Sequence, residues 1–299
     1  MGPRNGFDWT NVSFEEGMTT LKEWRETGVR RSEEVVEIWE HVLSRSPVSL
    51  SDQLWLVYEQ VCIAALDASR FDLASECISR LDERFPKSSR VSKLIAMRYE
   101  AMENYNAAAE IYEKLIEGDP TNNSYRKRKI AVMLALGHYQ DAIRDLNEYL
   151  KTFLNDNEAW IQLSELYLHE NDIPKAMHCI EELIVSSPLN TLFLNRLADM
   201  RYSIGGVENL ELAASYYGRA TALNPSDLHA QYGLFLCSLN LSNHSKALAE
   251  KKKEATAAAG SALERITARY QEILSSQPNN PSAKLNLAAL QSAKVKLAK

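Results

Sequence analysis

The stretch Phe71-Asp72-Leu73-Ala74-Ser75-Glu76-Cys77-Ile78-Ser79-Arg80-Leu81 returns, 34 residues later, as Tyr105-Asn106-Ala107-Ala108-Ala109-Glu110-Ile111-Tyr112-Glu113-Lys114-Leu115. Both copies carry Ala in fourth place, a large apolar residue four positions on (Ile78, Tyr112) and Leu three further (Leu81, Leu115). The frame continues through Ala142 and Ala176, with Leu146 and Tyr149, then Ile180 and Leu183, behind them. Tyr139 and Ile173 open those copies as Phe71 and Tyr105 open the first two. Pro86, Pro120 and Pro188 close three copies, and Leu154 stands at that place in the other. A fifth copy uses Ala213, Tyr217, Ala220 and Pro225, after a three-residue insertion around Gly205-Gly206.

The physics of these positions predicts paired antiparallel helices. Ala sits where the second helix of a pair crosses the first, because a larger side chain would force them apart. The residue four on lies on the same helix face and fills the groove to the next pair. Pro ends the second helix, since it lacks an N–H and restricts the residue before it. One hairpin cannot bury its own apolar face, so several must stack. The pattern and period resemble the tetratricopeptide repeat. The expected fold is all-α, a tetratricopeptide-repeat right-handed solenoid of antiparallel helix pairs with capping helices at both ends. Five repeats are expected over 55–88, 89–122, 123–156, 157–190 and 191–227. The eighth position of the first helix, usually small, holds Cys62, Ala96, Ile130, Ser164 and Ala198.

The flanks read differently. Residues 1–54 form an expected N-terminal helical cap: Ser13-Phe14-Glu15-Glu16 is a capping box, opening a helix with Leu21 and Trp24. Val35, Trp39, Val42 and Leu43 have helical spacing, which predicts a second helix over 32–45. Residues 228–299 read as a degenerate sixth repeat with a Lys-rich insertion, Lys251-Lys252-Lys253, expected to be solvated and flexible. A capping helix follows, with Leu285, Ala288, Ala289 and Leu290 on one side.

Composition excludes several classes. The 299 residues are 45% hydrophobic and 25% charged, with net charge −6, which excludes wholesale disorder and makes nucleic acid an unsuited partner. The longest apolar run, Ile130 to Leu136, is far below the roughly 20 residues of a membrane span. The start, Met1-Gly2-Pro3-Arg4-Asn5-Gly6-Phe7-Asp8, has no apolar segment of a secretory signal. Cys62, Cys77, Cys179 and Cys237 form no CxxC motif and read as buried thiols of a reducing compartment, cytosolic or nuclear.

No catalytic or metal motif is present: there is no HExxH, GxSxG, Walker loop or GxGxxG, so neither an enzyme nor a cofactor is expected. Such arrays bind peptides or other subunits. A clamp for a chaperone's C-terminal carboxylate would need Lys and Asn in one first helix. Here those places hold Lys93 and Met97, followed by Arg128, Glu158 and Gln162 in later repeats, which argues against a free chaperone adaptor. Candidate partner-binding residues are the inner-face Arg90 and Lys93, the basic run Arg126-Lys127-Arg128-Lys129, and Glu158, Glu165, Asp199 and Tyr202 further along. A groove running from basic to acidic would fix the direction of a bound segment. Trp9, Trp24 and Tyr202 are candidate aromatic anchors. Residues 246–299 hold ten basic against four acidic side chains, an asymmetry that could also favour anionic lipid headgroups.

Several exposed or loop stretches go beyond the repeat. Tyr58-Glu59-Gln60-Val61, Met97-Arg98-Tyr99-Glu100-Ala101-Met102-Glu103, Asp119-Pro120-Thr121, Arg126-Lys127-Arg128-Lys129-Ile130-Ala131 and Gly205-Gly206-Val207-Glu208-Asn209-Leu210 resemble the family of second subunits of the endoplasmic reticulum membrane protein complex. The likeness covers roughly residues 8–240. It implies a non-catalytic scaffold on the cytoplasmic face of the endoplasmic reticulum membrane, peripheral to it. The assembly would insert transmembrane helices, including those of tail-anchored proteins. It further implies that the chain holds cytosolic parts of subunits 3 and 5 and carries subunit 8 or 9. By the same resemblance, the run from Arg126 to Lys129 faces the cytosolic vestibule or a neighbouring subunit.

Overall fold

The computed structural model describes residues 9–245 and 247–297, the last five by backbone alone. The readings made on residues 1–8, 246 and 298–299 lie outside it. The described residues are helical and contain no strand. The chain divides into two compact units, residues 1–145 and 146–299.

In the first unit, α1 (Phe14–Thr27) starts as the capping box requires: the Ser13 hydroxyl accepts from Glu16 N at 3.2 Å. Gly28 ends it at φ 67°. Helix α2 (Ser32–His41) is shorter than its apolar spacing predicts. Val42 leaves the helix, a 3-10 turn Leu43–Arg45 follows, and Ser46, just before Pro47, takes a non-helical backbone with φ −145° and ψ 63°. Val35, Ile38, Trp39 and Leu43 are still buried, because the 3-10 turn carries Leu43 onto the same core. Trp9 is also buried, edge-on to Trp24 with ring centroids 5.2 Å apart, so it belongs to this core and cannot anchor a partner.

The unit continues with the hairpins α3 (Leu54–Asp67) with α4 (Phe71–Arg84) and α5 (Ser89–Ala101) with α6 (Tyr105–Gly118), then α7 (Asn123–Ala135) packed on α6. Helix α8 (Tyr139–Thr152) carries the boundary. The second unit holds α9 (Asn157–His169) paired with α10 (Ile173–Ser186), and α11 (Thr191–Ile204) paired with α12 (Val207–Leu223). It ends with α13 (Leu228–Asn243), α14 (Ala249–Ser276) and α15 (Pro281–Leu297), each packed on the one before.

The repeat residues do what their spacing predicts. Ala74, Ala108, Ala142, Ala176 and Ala213 are wholly buried, as are Tyr112 and Ile180 behind them. The eighth position answers the Ala directly in two hairpins. Ser164 Oγ donates to Ala176 O at 3.0 Å, and Cys62 Sγ lies 3.8 Å from Ala74 O. All four cysteines are buried free thiols, and desolvation pushes the Cys62, Cys179 and Cys237 thiols up to about 12.

A second 34-residue period is invisible in the sequence. Ser69, Glu103, Gly137, Asn171 and Gly205 each have positive φ, between 58° and 75°, at the turn inside a hairpin. In the first four, the next residue's N–H reaches back to close the preceding helix: Arg70 to Ala65 O at 2.7 Å, Asn104 to Tyr99 O at 2.9 Å, His138 to Met133 O at 2.9 Å, and Asp172 to Tyr167 O at 2.8 Å. This is a Schellman-type close, which needs one left-handed residue and prefers glycine. Only two of the five are glycine.

Two expectations for the C-terminal end need correction. The Lys251–Lys253 segment is not a loop but the first turns of the long helix α14, and Lys251 Nζ bonds both Glu211 carboxylate oxygens at 2.6 Å. In α15 the buried residues are Ala283 and Leu290, whereas Leu285 is 73% exposed and Ala288 and Ala289 face outward. The run Leu285-Asn286-Leu287-Ala288-Ala289-Leu290 is apolar almost all round, so two helical stripes fit it. Packing against Phe235, Leu263 and Ile266 selects the stripe through Leu290.

Candidate functional site

In the first unit, α1, the turn after it, α3, α5 and α7 border an open groove of about 480 Å³. The first helices of successive repeats lie side by side, so residues roughly one period apart, such as Glu59, Lys93 and Arg128, reach the same space. The cap contributes Trp24, Arg25 and Arg30. Leu56, Ile63 and Met97 supply apolar wall.

The acids of the groove are already engaged. Asp67 accepts from Arg30 Nε at 2.7 Å and Ser32 Oγ at 2.6 Å, with a second Arg30 bond to its other oxygen. Burial raises the Asp67 carboxyl, but the Arg30 and Ser32 bonds and the charges of Arg30 and Arg128 outweigh it and hold it below its ordinary value. Glu59 pairs with Arg90. Glu100 takes the Tyr112 hydroxyl on one oxygen and Arg128 Nη1 at 2.8 Å on the other. Burial together with Glu100 drives the Tyr112 phenol strongly upward. Arg25 donates to Gln60 Oε1 at 2.9 Å, and Gln60 in turn bonds Leu21 O at 3.0 Å, tying the cap to α3.

Lys93 differs from these cations. It is half-buried in the groove wall, and its ammonium has no hydrogen bond or ion pair among the described residues. Desolvation and the neighbouring Arg128 and Arg90 charges push its pKa below the ordinary lysine value, against the pull of Glu59 and Glu100.

The basic run on α7 does not act as one patch. Arg128 turns into the groove. Lys129 points elsewhere, to Glu113 at 3.2 Å and Asp145 at 3.4 Å. Arg126 has a buried Nε without a partner, and Lys127 is partly buried. Four consecutive residues span more than a full helical turn, so the helix spreads them around its axis.

In the second unit, Glu158 opens the first turn of α9, and Glu165 pairs with Arg196 at 3.0 Å. Asp199 accepts the Tyr217 hydroxyl and lies 3.0 Å from His229 Nε2. This repeats the chemistry of Tyr112, Glu100 and Arg128: a second-helix Tyr, an acid on its own first helix, and a basic residue from the next. Tyr202 OH accepts from Asn240 at 2.7 Å. The sequence reading therefore named Arg90, Lys93, Arg128 and Asp199. Arg30, Asp67, Tyr217 and His229 carry no site signal in the sequence, because the Arg30–Asp67, Tyr217–Asp199 and His229–Asp199 contacts join residues 18 to 37 apart and are closed only by packing. The described residues hold no cluster of His, Cys, Asp and Glu that fits a metal. None of their helices is long and apolar enough to cross a membrane.

Residues 84–204 match the model of the EMC2 TPR-like repeat domain. The chain is 42% identical over 264 residues to ER membrane protein complex subunit 2-A of Xenopus laevis, covering 88% of this chain and 89% of that one. It is 28% identical over 277 residues to ER membrane protein complex subunit 2 of Dictyostelium discoideum, covering 88% and 84%. Among solved structures, the C-terminal part of a TPR repeat-containing protein from Cytophaga hutchinsonii superposes with a TM-score of 0.60 at 14% identity, covering 92% of this chain and 99% of that one, a likeness of fold.

Proposed function

Because the chain belongs to the family of ER membrane protein complex subunit 2, we propose that it is a non-catalytic scaffold subunit of such a complex. In this reading it lies on the cytoplasmic face of the endoplasmic reticulum membrane, peripheral to it. It holds the cytosolic parts of membrane-embedded subunits 3 and 5 together and carries subunit 8 or 9. The assembly inserts transmembrane helices, including those of tail-anchored proteins. The observation that carries the reading is the 42% identity over nearly nine-tenths of both chains. The groove adds physical support, because a solvent-open concavity with charged and apolar walls suits a protein partner.

The test is affinity recovery of the tagged chain from cells in mild detergent, with mass spectrometry and a parallel carbonate wash. Stoichiometric recovery of several multi-span endoplasmic reticulum proteins, with the chain released by carbonate, is expected. Recovery of cytosolic chaperones alone would overturn the scaffold reading in favour of a free adaptor.

A further inference from the structure

We propose that the groove of the first unit binds an internal acidic, amphipathic segment of a partner protein, seating a side-chain carboxylate on Lys93 and an apolar side chain against Leu56 and Ile63. The inference rests on the reading of this chain as a partner-binding subunit and names the chemistry of what the groove takes.

Charge complementarity commits the occupant. In a chain of net charge −6, the groove is lined by five cationic side chains and two anionic ones. Both anions are held by their own arginines, Asp67 by Arg30 and Glu59 by Arg90. Arg128 is held by Glu100 and Arg25 donates to the neutral Gln60, which leaves Lys93 as the groove cation without a hydrogen-bond or ion-pair partner among the described residues. Taking an ammonium partly out of water without a counter-charge is costly, and its depressed pKa reflects that cost. An incoming carboxylate would relieve it. The apolar side of the occupant follows from Leu56, which is 41% exposed, and Ile63 beside it. A terminal carboxylate fits less well. The residue one turn after Lys93 is Met97, whose apolar side chain lines the groove where a second polar donor would have to stand.

The test is fluorescence anisotropy with the purified full chain. The probe is a short fluorescein-labelled, C-terminally amidated peptide alternating leucines with glutamate pairs. The comparison peptide has glutamine for every glutamate. Saturable binding of the glutamate peptide is expected, weakening as salt rises. The glutamine peptide should bind about tenfold or more weakly, and Lys93→Met should cause a loss of about the same size. Lys93→Arg should restore binding. Absence of saturable binding to the wild-type chain, equal binding of the two peptides, or unchanged affinity of Lys93→Met would each overturn the proposal. So would Lys93-dependent co-sedimentation with phosphatidylserine vesicles in place of peptide binding, which would make the occupant a membrane. Recovery of membrane subunits with the tagged chain is read separately, so a failure here is distinguishable from a failure of the scaffold reading.

Discussion

Gly233 lies in the middle of α13, where helix propensity alone favours alanine by about 1 kcal/mol. The structure reverses that sign. A Cβ at position 233 would lie 2.4 Å from Cε1 and Cζ of Tyr217 and 2.7 Å from Cε2. Carbon atoms in contact prefer about 3.5–4.0 Å, so the ring would have to retreat by more than about 1 Å. It has little room to do so. Tyr217 is 3% exposed, its hydroxyl is held by Asp199, and His229 packs edge-on against it at 6.3 Å. Overpacking of this kind costs about 1–3 kcal/mol, and weakening a bond to a charged acceptor costs about 1.5–3 kcal/mol more. After the propensity gain is set against them, Gly233→Ala should destabilise the second unit by about 1.5–5 kcal/mol. Stacked repeats need not unfold as one cooperative block, so the assay is native-state hydrogen exchange read over α12 and α13. Their slowest amides should exchange roughly tenfold faster or more, the equivalent of about 1.4 kcal/mol. The same substitution in a Tyr217→Leu background should be neutral or protective, because the ring it strikes is gone. Unchanged or increased protection in the single variant would rule out the clash with Tyr217, as would an equal loss in both backgrounds.

Three further outcomes are expected. Glu103 occupies a left-handed turn position that Gly137 fills in the following hairpin, so Glu103→Gly should stabilise the fold by up to about 1 kcal/mol and Gly137→Ala should destabilise it by about 1 kcal/mol, read as urea midpoints at constant slope; the opposite order would remove the turn argument. Asp67 is held below its ordinary 3.8, so its contribution to stability is present above that value and is lost as pH falls through its lower folded value. The melting-temperature gap between wild type and Asp67→Asn should therefore be full near neutrality and close as the pH falls through that lower folded value, and a gap independent of pH would contradict the ion pair. Leu290→Ala should cost about 2–3 kcal/mol and Leu285→Ala less than about 0.5 kcal/mol in thermal melts, and the reverse would restore the helix face read from the sequence.

The all-helical repeat architecture was legible because its signal is local. The Ala of each pair, the large residue four on and the Leu three further lie on one face of one helix, so their spacing is set by the helix itself and not by anything distant. Buried Ala74, Ala108, Ala142, Ala176 and Ala213 express that spacing directly. The Ser13 cap was legible for the same reason, since its partner is three residues away. The turn period through Ser69, Glu103 and Asn171 was not, because neighbouring helices compel a left-handed conformation on residues that do not advertise it. The exposed face of α15 was not, because a helix apolar almost all round leaves the choice of stripe to whatever it docks against. In the groove, repeat spacing alone puts Arg90, Lys93 and Arg128 on first helices. Packing sets Glu59 against Arg90 and Glu100 against Arg128, and leaves Lys93 without a partner among the described residues. Pairing depends on which side chains meet across helices 28 to 37 residues apart, and that is a property of packing, not of spacing.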